Sequence, residues 1–296
     1  MAQLKEIRNR IASVKNTRKV TNAMKLVSAS KLKKAQSAIV NFAVYDEKLH
    51  KIIQNLSLSE IEVHSDFFKE EEEIKNVLIV VLGANRGLCG PFNSNITKFS
   101  IIHALDNYNK LLKLGNVEFL PIGLHVEKEL KMRKLDIFEE AHDLVNNSDY
   151  ERSSEFAEKL MNIFKSRKFH RIDIVYNRFK NAALQLLTTE QYLPVEKPEM
   201  EEENLSLPYY IFEPSQDEIL NDIIPRSLKM RIHRILLDST ASEHGARMTA
   251  MHQATDNATS LMDTLRKNYN NARQSAITNE IIEISAGAEA LNGHNQ

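Results

Sequence analysis

Residues 241–291 read ASEHGARMTAMHQATDNATSLMDTLRKNYNNARQSAITNEIIEISAGAEAL, and this stretch decides the fold. It is the body of a helical pattern that opens at Ser215. There Ser215-Gln216-Asp217-Glu218 forms a capping box, in which the Ser215 hydroxyl accepts a free first-turn N–H and Glu218 reaches back. From there to Leu291 the only helix breakers are Pro225, Gly245 and Gly287. At about 1.5 Å per residue such a helix would run on the order of 115 Å. Arg247, Asp256, Asp263, Arg266, Lys267, Arg273, Glu280 and Glu283 are spread along it, which excludes a membrane span. A helix this long needs a partner.

The other terminus offers one. Met1 to about Leu56 holds neither glycine nor proline; the first glycine is Gly83 and the first proline Pro91. Alternating steps of three and four from Leu4 pass through Ile7, Ile11 and Val14, then Arg18, Thr21, Lys25 and Ser28. They continue through Leu32, Ala35, Ile39, Phe42, Asp46, Leu49, Ile53 and Leu56. This is a heptad seam with a polar interruption, and through the interruption the apolar residues drift to another face at Val20, Met24 and Val27. Two long terminal helices predict an antiparallel coiled coil; a bundle of shorter helices is the alternative that periodicity leaves open.

Between them the pattern changes. Asn76–Gly83 (NVLIVVLG) is a β-branched run of the kind buried on both faces of a parallel sheet. Ser94–Leu112, Val126–Lys134 and Ser153–Arg167 read as helices, and Val117–Gly123, Arg171–Arg178 and Leu184–Thr189 as strands. Glu190–Pro208, with three prolines, reads as a loop, and His64–Lys75 as a charged connector. Strands alternating with helices argue an inserted α/β domain. The fold class is therefore α plus α/β. Its parts are an N-terminal coiled-coil helix (1–60), a Rossmann-like α/β domain (75–195, extending through 196–213), a C-terminal coiled-coil helix (214–291) and a tail (292–296).

The net charge is −1, so no global field points to nucleic acid. Locally, Met1–Lys34 carries ten Lys/Arg against one acid, Glu6. With no aromatic before Phe42 to stack on bases, that face suits an acidic protein partner or plain solvent better than DNA or RNA. The single cysteine, Cys89, excludes an internal disulfide. No apolar run reaches transmembrane length and no signal peptide is evident, which predicts a soluble chain.

Catalytic patterns are missing. The loop Gly83-Ala84-Asn85-Arg86-Gly87-Leu88-Cys89-Gly90 lies where phosphate loops lie, yet matches neither GxxxxGK[ST] nor GxGxxG; a structural turn is expected. Cys89 has no nearby histidine for a thiolate pair. His244 and His252 are eight apart, too far to share a metal, and read as surface residues. The carboxylates fall in helical charge patterns that read as solvated faces. No cofactor, metal or catalytic residue is expected. Ile282–Leu291 (IEISAGAEAL) is small and apolar around most of the helix, which predicts burial in another protein, or a frayed tail.

The opening LKEIRNRIASVKNTRKVTNAMKLVSASKLKKAQ, the loop RGLCGPFN and the quoted ending resemble the γ subunit of F-type ATP synthase, the rotating central shaft. The resemblance covers both termini and the middle loop, in order. It implies a non-catalytic, torque-transmitting subunit peripheral to a bacterial plasma membrane on its cytoplasmic face. The implied partners are a hexamer of α and β subunits, an ε subunit and a membrane ring of c subunits. By position, Met24, Lys25, Arg247, Arg273, Gln274, Thr278, Glu280 and Glu283 would meet β subunits. Tyr210, Phe212 and Glu213 would lie near ε and the c ring. Phe212 stands where some relatives have tyrosine, and Pro91 replaces a glycine common in the family. The cysteine insertion of chloroplast members is missing, so no thiol switch is implied.

Overall fold

The structure, a computed structural model, describes residues 2–57, 67, 74–146, 149–195 and 216–292. In chain order the elements are α1 (Ala2–Ser57), β1 (Val77–Leu82), α2 (Phe92–Lys113), β2 (Val117–Ile122), α3 (Leu124–Met132), α4 (Asp143–Asn146), α5 (Tyr150–Lys165), β3 (Arg171–Phe179), β4 (Gln185–Leu193) and α6 (Gln216–Asn292). The chain divides into two compact units, Met1–Val27 with Met248–Gln296, and Ser28–Arg247.

The first unit is a helix pair. Leu4, Ile7, Ile11, Val14 and Arg18 are half-buried and Thr21 is buried, against buried Met251, Ala258 and Met262 and half-buried Leu265, Tyr269, Ala272 and Ala276 of α6. Both helices thus present seams of alternating threes and fours, the signature of coiled-coil packing. The pair is antiparallel: Arg8 Nη2 donates to Tyr269 Oη at 3.1 Å, and further along α1 the Thr21 hydroxyl lies 2.8 Å from that of Thr255. The expected drift of the seam does not occur. Thr21 is 8% exposed, while Val20 and Val27 are each 57% exposed. The helix keeps its phase because Thr21 finds a hydrogen-bond partner across the seam; rotating to bury the valines would misplace Ile7, Ile11 and Val14.

The second unit is built on a four-stranded sheet of order β2-β1-β3-β4. β1 pairs parallel with β2 (Val77↔Val117 to Leu82↔Ile122) and with β3, and β3 turns back into antiparallel β4. All six residues of VLIVVL are buried, since both faces of β1 are covered. Leu78, Val80 and Leu82 meet α5 and α6 through Phe156, Leu160, Phe164, Leu228, Ile232 and Ile235. Val77, Ile79 and Val81 meet α2 and α3 through Ile96, Ala104, Val126 and Leu130. Each such aliphatic contributes roughly 1.5–3 kcal/mol on burial. α6 runs through Pro225, with Ile224 and Leu228 1% and 2% exposed in that core. Their burial outweighs the roughly 3 kcal/mol a helical proline costs.

Three expectations change. β4 extends to Leu193, so Glu190 is a strand residue; the cluster of prolines masked the end of the strand, and Glu190 is tolerated there because three donors hold its carboxylate. Phe67, inside the charged connector, is 5% exposed in the core, and its carbonyl accepts from Val195 N at 2.8 Å. The one-turn helix α4 had no periodic signal to announce it. Ser215 of the capping box, the strand-like 209–212 and the tail lie outside the described residues, as do the side chains of the heptad positions from Asp46 to Leu56.

Candidate functional site

The Gly83–Gly90 loop follows β1 and leads into α2, and its first two amides are used inside the chain. Gly83 N donates to Ile122 O at 2.8 Å and Ala84 N to Asn93 Oδ1 at 2.8 Å. There is no space for a ligand at Gly83 or Gly123. A Cβ on Gly83 would sit 2.1 Å from Val126 Cγ2, and one on Gly123 2.8 Å from the Gly83 carbonyl carbon. The void lined by Leu82, Gly83, Ile122, Leu236, Ser239, Thr240 and Glu243 measures about 10 Å³, room for one water. Cys89 is 1% exposed, with Asn93 Nδ2 donating to its sulfur at 3.4 Å. Burial pushes its thiol up from the ordinary value although the Arg247 cation pulls the other way.

Arg247 grips this loop. Its Nε donates to Gly87 O at 3.2 Å and its Nη2 to Arg86 O at 2.9 Å, while Nη1 pairs with Glu243 at 2.7 Å and donates to His244 Nδ1 at 3.2 Å. The guanidinium is 7% exposed, so it faces the chain's own loop. His244 is half-buried rather than on the surface: burial, then Arg247 and Lys31, lowers its pKa to about 4, which keeps Nδ1 free to accept. Glu243, one of the carboxylates whose helical charge pattern read as a solvated face, is buried, as is Arg247. The overlooked signal was the small residues around them, Ala241, Ser242, Gly245 and Ala246, which let neighbours approach closely. A Cβ on Gly245 would meet Ala182 Cα at 3.3 Å.

Other carboxylates also prove to be interior. Asp173 is 1% exposed and accepts from Tyr108 Oη (2.6 Å), His103 Nε2 (2.8 Å) and Arg171 Nε (3.0 Å). Burial raises its pKa, but these donors outweigh burial and the net shift is downward. Glu190 is held by Arg231 (3.1 Å), Arg234 (3.0 Å) and the Tyr176 hydroxyl. Among the described residues, Glu127, Glu140 and His142 bring ligand atoms within 4.8 Å of one another. Lys131 already binds both carboxylates, so the group is an ion-pair cluster as it stands.

The expected partner residues other than Arg247 fall into three places. Met24 and Lys25 are half-buried on α1. Arg273, Gln274, Thr278, Glu280 and Glu283 are all exposed on α6, interleaved with bare Ile277, Ile281, Ile282 and Ile284. Tyr210, Phe212 and Glu213 lie outside the described residues. No helix of the described residues is long and apolar enough to cross a membrane.

An antiparallel pair of terminal helices with an α/β insertion is the architecture of an ATP synthase central stalk. The fold matches a chain of the Euglena gracilis mitochondrial ATP synthase (OSCP/F1/c-ring) with a TM-score of 0.72 at 19% identity, covering 100% of this chain and 96% of that one. It also matches a chain of the Tetrahymena thermophila central stalk and c ring, with a TM-score of 0.58 at 23% identity over 79% of this chain and 99% of that one. A family model described as ATP synthase matches residues 3–291. The ATP synthase gamma chains of Christiangramia forsetii and Flavobacterium johnsoniae are 49% and 47% identical to it, each over 99% of this chain and 100% of their own length. The chain belongs to the ATP synthase gamma chain family.

Proposed function

We propose that this chain is the central-stalk rotor of a proton-translocating F1Fo ATP synthase, transmitting torque between a c ring and the β subunits of an α/β hexamer, with ε at its base. It performs no chemistry itself. Residues 1–60 and 214–291 form the shaft in this reading and 75–195 the domain inserted in it. The complex holds the chain on the cytoplasmic face of a bacterial plasma membrane, in keeping with its bacterial relatives.

The observation that carries the reading is the bare apolar end of α6. Ala276 is the last half-buried position of the α6 seam among the described side chains, and α6 continues to Asn292. Beyond it Ile277, Ile281, Ile282 and Ile284 are 49–68% exposed. Bare isoleucines on a single helix are stable in water only at a cost, and a surrounding collar removes it. An apolar tip also offers few directional bonds to break when it turns. Arg273, Gln274, Thr278, Glu280 and Glu283 are the polar contacts we assign to β subunits along this stretch, with Met24 and Lys25 on α1; Arg247 acts from behind the loop it holds. Because a single off-axis shaft faces three β sites differently, its angle and their nucleotide affinities are linked, and forcing one forces the other.

Mixing the purified chain with α and β subunits tests this. The chain should co-elute with the hexamer and raise its ATP hydrolysis, and a chain ending at residue 276 should do so poorly. A chain that elutes alone and leaves hydrolysis unchanged would make it a free-standing coiled-coil scaffold.

A further inference from the structure

The edge of the sheet where β1, β2 and β3 begin gathers the C-terminal ends of three helices. Because β1 is parallel to both β2 and β3, the helices α2 and α3, which each follow a strand, and α5, which precedes β3, all run back to it. Backbone bonds fasten the three ends there. Val77 N donates to Asn116 O at 3.0 Å, Phe119 N to Asp136 O at 2.8 Å and His170 N to Asn76 O at 2.9 Å. Each end carries exposed cations: Lys113 on α2, Arg133 and Lys134 after α3, Lys165 and Lys168 at the end of α5. Cations at helix C-termini offset the macrodipole, and that accounts for one or two per helix. It does not account for the side chains beside them. Leu114 and Met132 are 72% and 76% exposed, the barest large apolar groups among the described residues, and each adjoins a cation in sequence. Arg133 is paired with Glu129 at 3.2 Å, and Asp136 is exposed at the same edge. Lys165 and Lys168 lie 4.7 and 4.2 Å from the ring centres of Phe67 and Phe138, contacts that hold an ammonium group without neutralising it. Cations with bare apolar side chains among them suit an anionic bilayer, which takes charge at its surface and apolar groups just beneath.

We propose that this edge rests on anionic phospholipid headgroups, with Leu114 and Met132 entering the headgroup layer. The inference rests on the central-stalk reading, which sets the direction of the edge. β4 runs antiparallel to β3 and brings Leu193 opposite Ile172, so the chain leaves the sheet for residues 196–213 at this same edge. That reading puts Tyr210, Phe212 and Glu213 by the c ring, which turns the edge towards the membrane. Headgroups are fluid, so the contact does not lock a turning stalk.

The test uses the full chain with vesicles of phosphatidylglycerol and phosphatidylcholine, or of phosphatidylcholine alone, at low ionic strength. The chain has no tryptophan, so a single introduced one reports its own surroundings. Emission from Leu114→Trp and from Met132→Trp should shift to the blue on the anionic vesicles alone and be quenched by brominated acyl chains. Val20→Trp, exposed among the α1 cations, should show neither effect. The triple variant Lys113→Gln, Lys134→Gln, Lys168→Gln should bind the anionic vesicles on the order of a hundredfold more weakly, from about fivefold per cation. The α1 variant Lys15→Gln, Lys19→Gln, Lys25→Gln should bind as wild type does. No shift at 114 and 132, as when the acidic runs Glu70–Glu73 and Glu201–Glu203 cancel the charge, overturns the proposal, and so does an equal shift at 20. A triple variant that keeps wild-type vesicle binding but no longer co-elutes with ε or the c ring assigns the edge to an acidic protein and also overturns it. Failure of the wild-type chain to co-elute with the α/β hexamer overturns the central-stalk reading instead, whatever the vesicles show.

Discussion

Asp173 and Asp238 are both buried carboxylates, and their surroundings shift them in opposite directions. Three donors hold Asp173 charged, so its stabilisation is present above the unfolded value near 3.8 and is lost as pH falls through the lower folded value. Asp238 is 8% exposed, and burial, only partly offset by Arg234 and Arg178, raises its pKa to about 6. For a raised acid the sign reverses: stability is complete below about pH 3.8 and is lost as pH rises through 6. Asp238→Asn should therefore stabilise the chain at pH 8 by up to about 3 kcal/mol, at about 1.4 kcal/mol per pKa unit, and change little at pH 3.5. Urea titrations at the two pH values check this; equal effects at both would contradict it. Neither environment was legible in the sequence. Asp173 sits in RIDIVYNR, an unmistakable strand, and Arg171 is in the same strand, but the other two donors, Tyr108 and His103, come from α2, 65 and 70 residues away, and only the fold brings them there.

At the scale of elements, the pattern was most legible where one requirement acted alone. NVLIVVLG could only be a strand covered on both faces, and the threes and fours from Leu4 to Val14 could only be a seam. Hydropathy misleads where it disagrees with helix geometry. Val20 and Val27 are the more apolar residues, yet Thr21 keeps the phase and is buried. The hydroxyls explain why: Thr255 donates to Thr21 across the pair at 2.8 Å, and Thr21 lies 3.1 Å from the Arg18 carbonyl, to which it donates in turn. A buried polar pair of this sort fixes register more than it stabilises. Thr21→Val alone should be nearly neutral, because Thr255 still has the Met251 carbonyl at 2.7 Å. The double variant Thr21→Val, Thr255→Val should raise stability by about 1 kcal/mol, since removing both partners leaves no unsatisfied group. A loss of more than that in thermal unfolding would show the hydroxyls to be net stabilisers.

For the whole molecule, the terminal motifs announced the family, but the details of its contacts could not be read from spacing. Arg247 is the instructive residue. By position it suggested an outward contact with a partner; in the structure its donors go to Arg86, Gly87, Glu243 and His244. The exposed isoleucines of α6 were legible as an apolar helix end, and what made them informative is that they lie past Ala276, the last half-buried seam position among the described side chains, which appears only once the burial is known.

As a central stalk, the chain turns inside a ring of other subunits. Lys110, exposed on α2, can be changed to cysteine and labelled selectively, because Cys89 is buried. With the β subunits fixed to a surface and a probe on that cysteine, addition of ATP should produce continued rotation of the probe in one direction. A probe that stays at a fixed angle while the assembled complex hydrolyses ATP at its full rate would contradict the account.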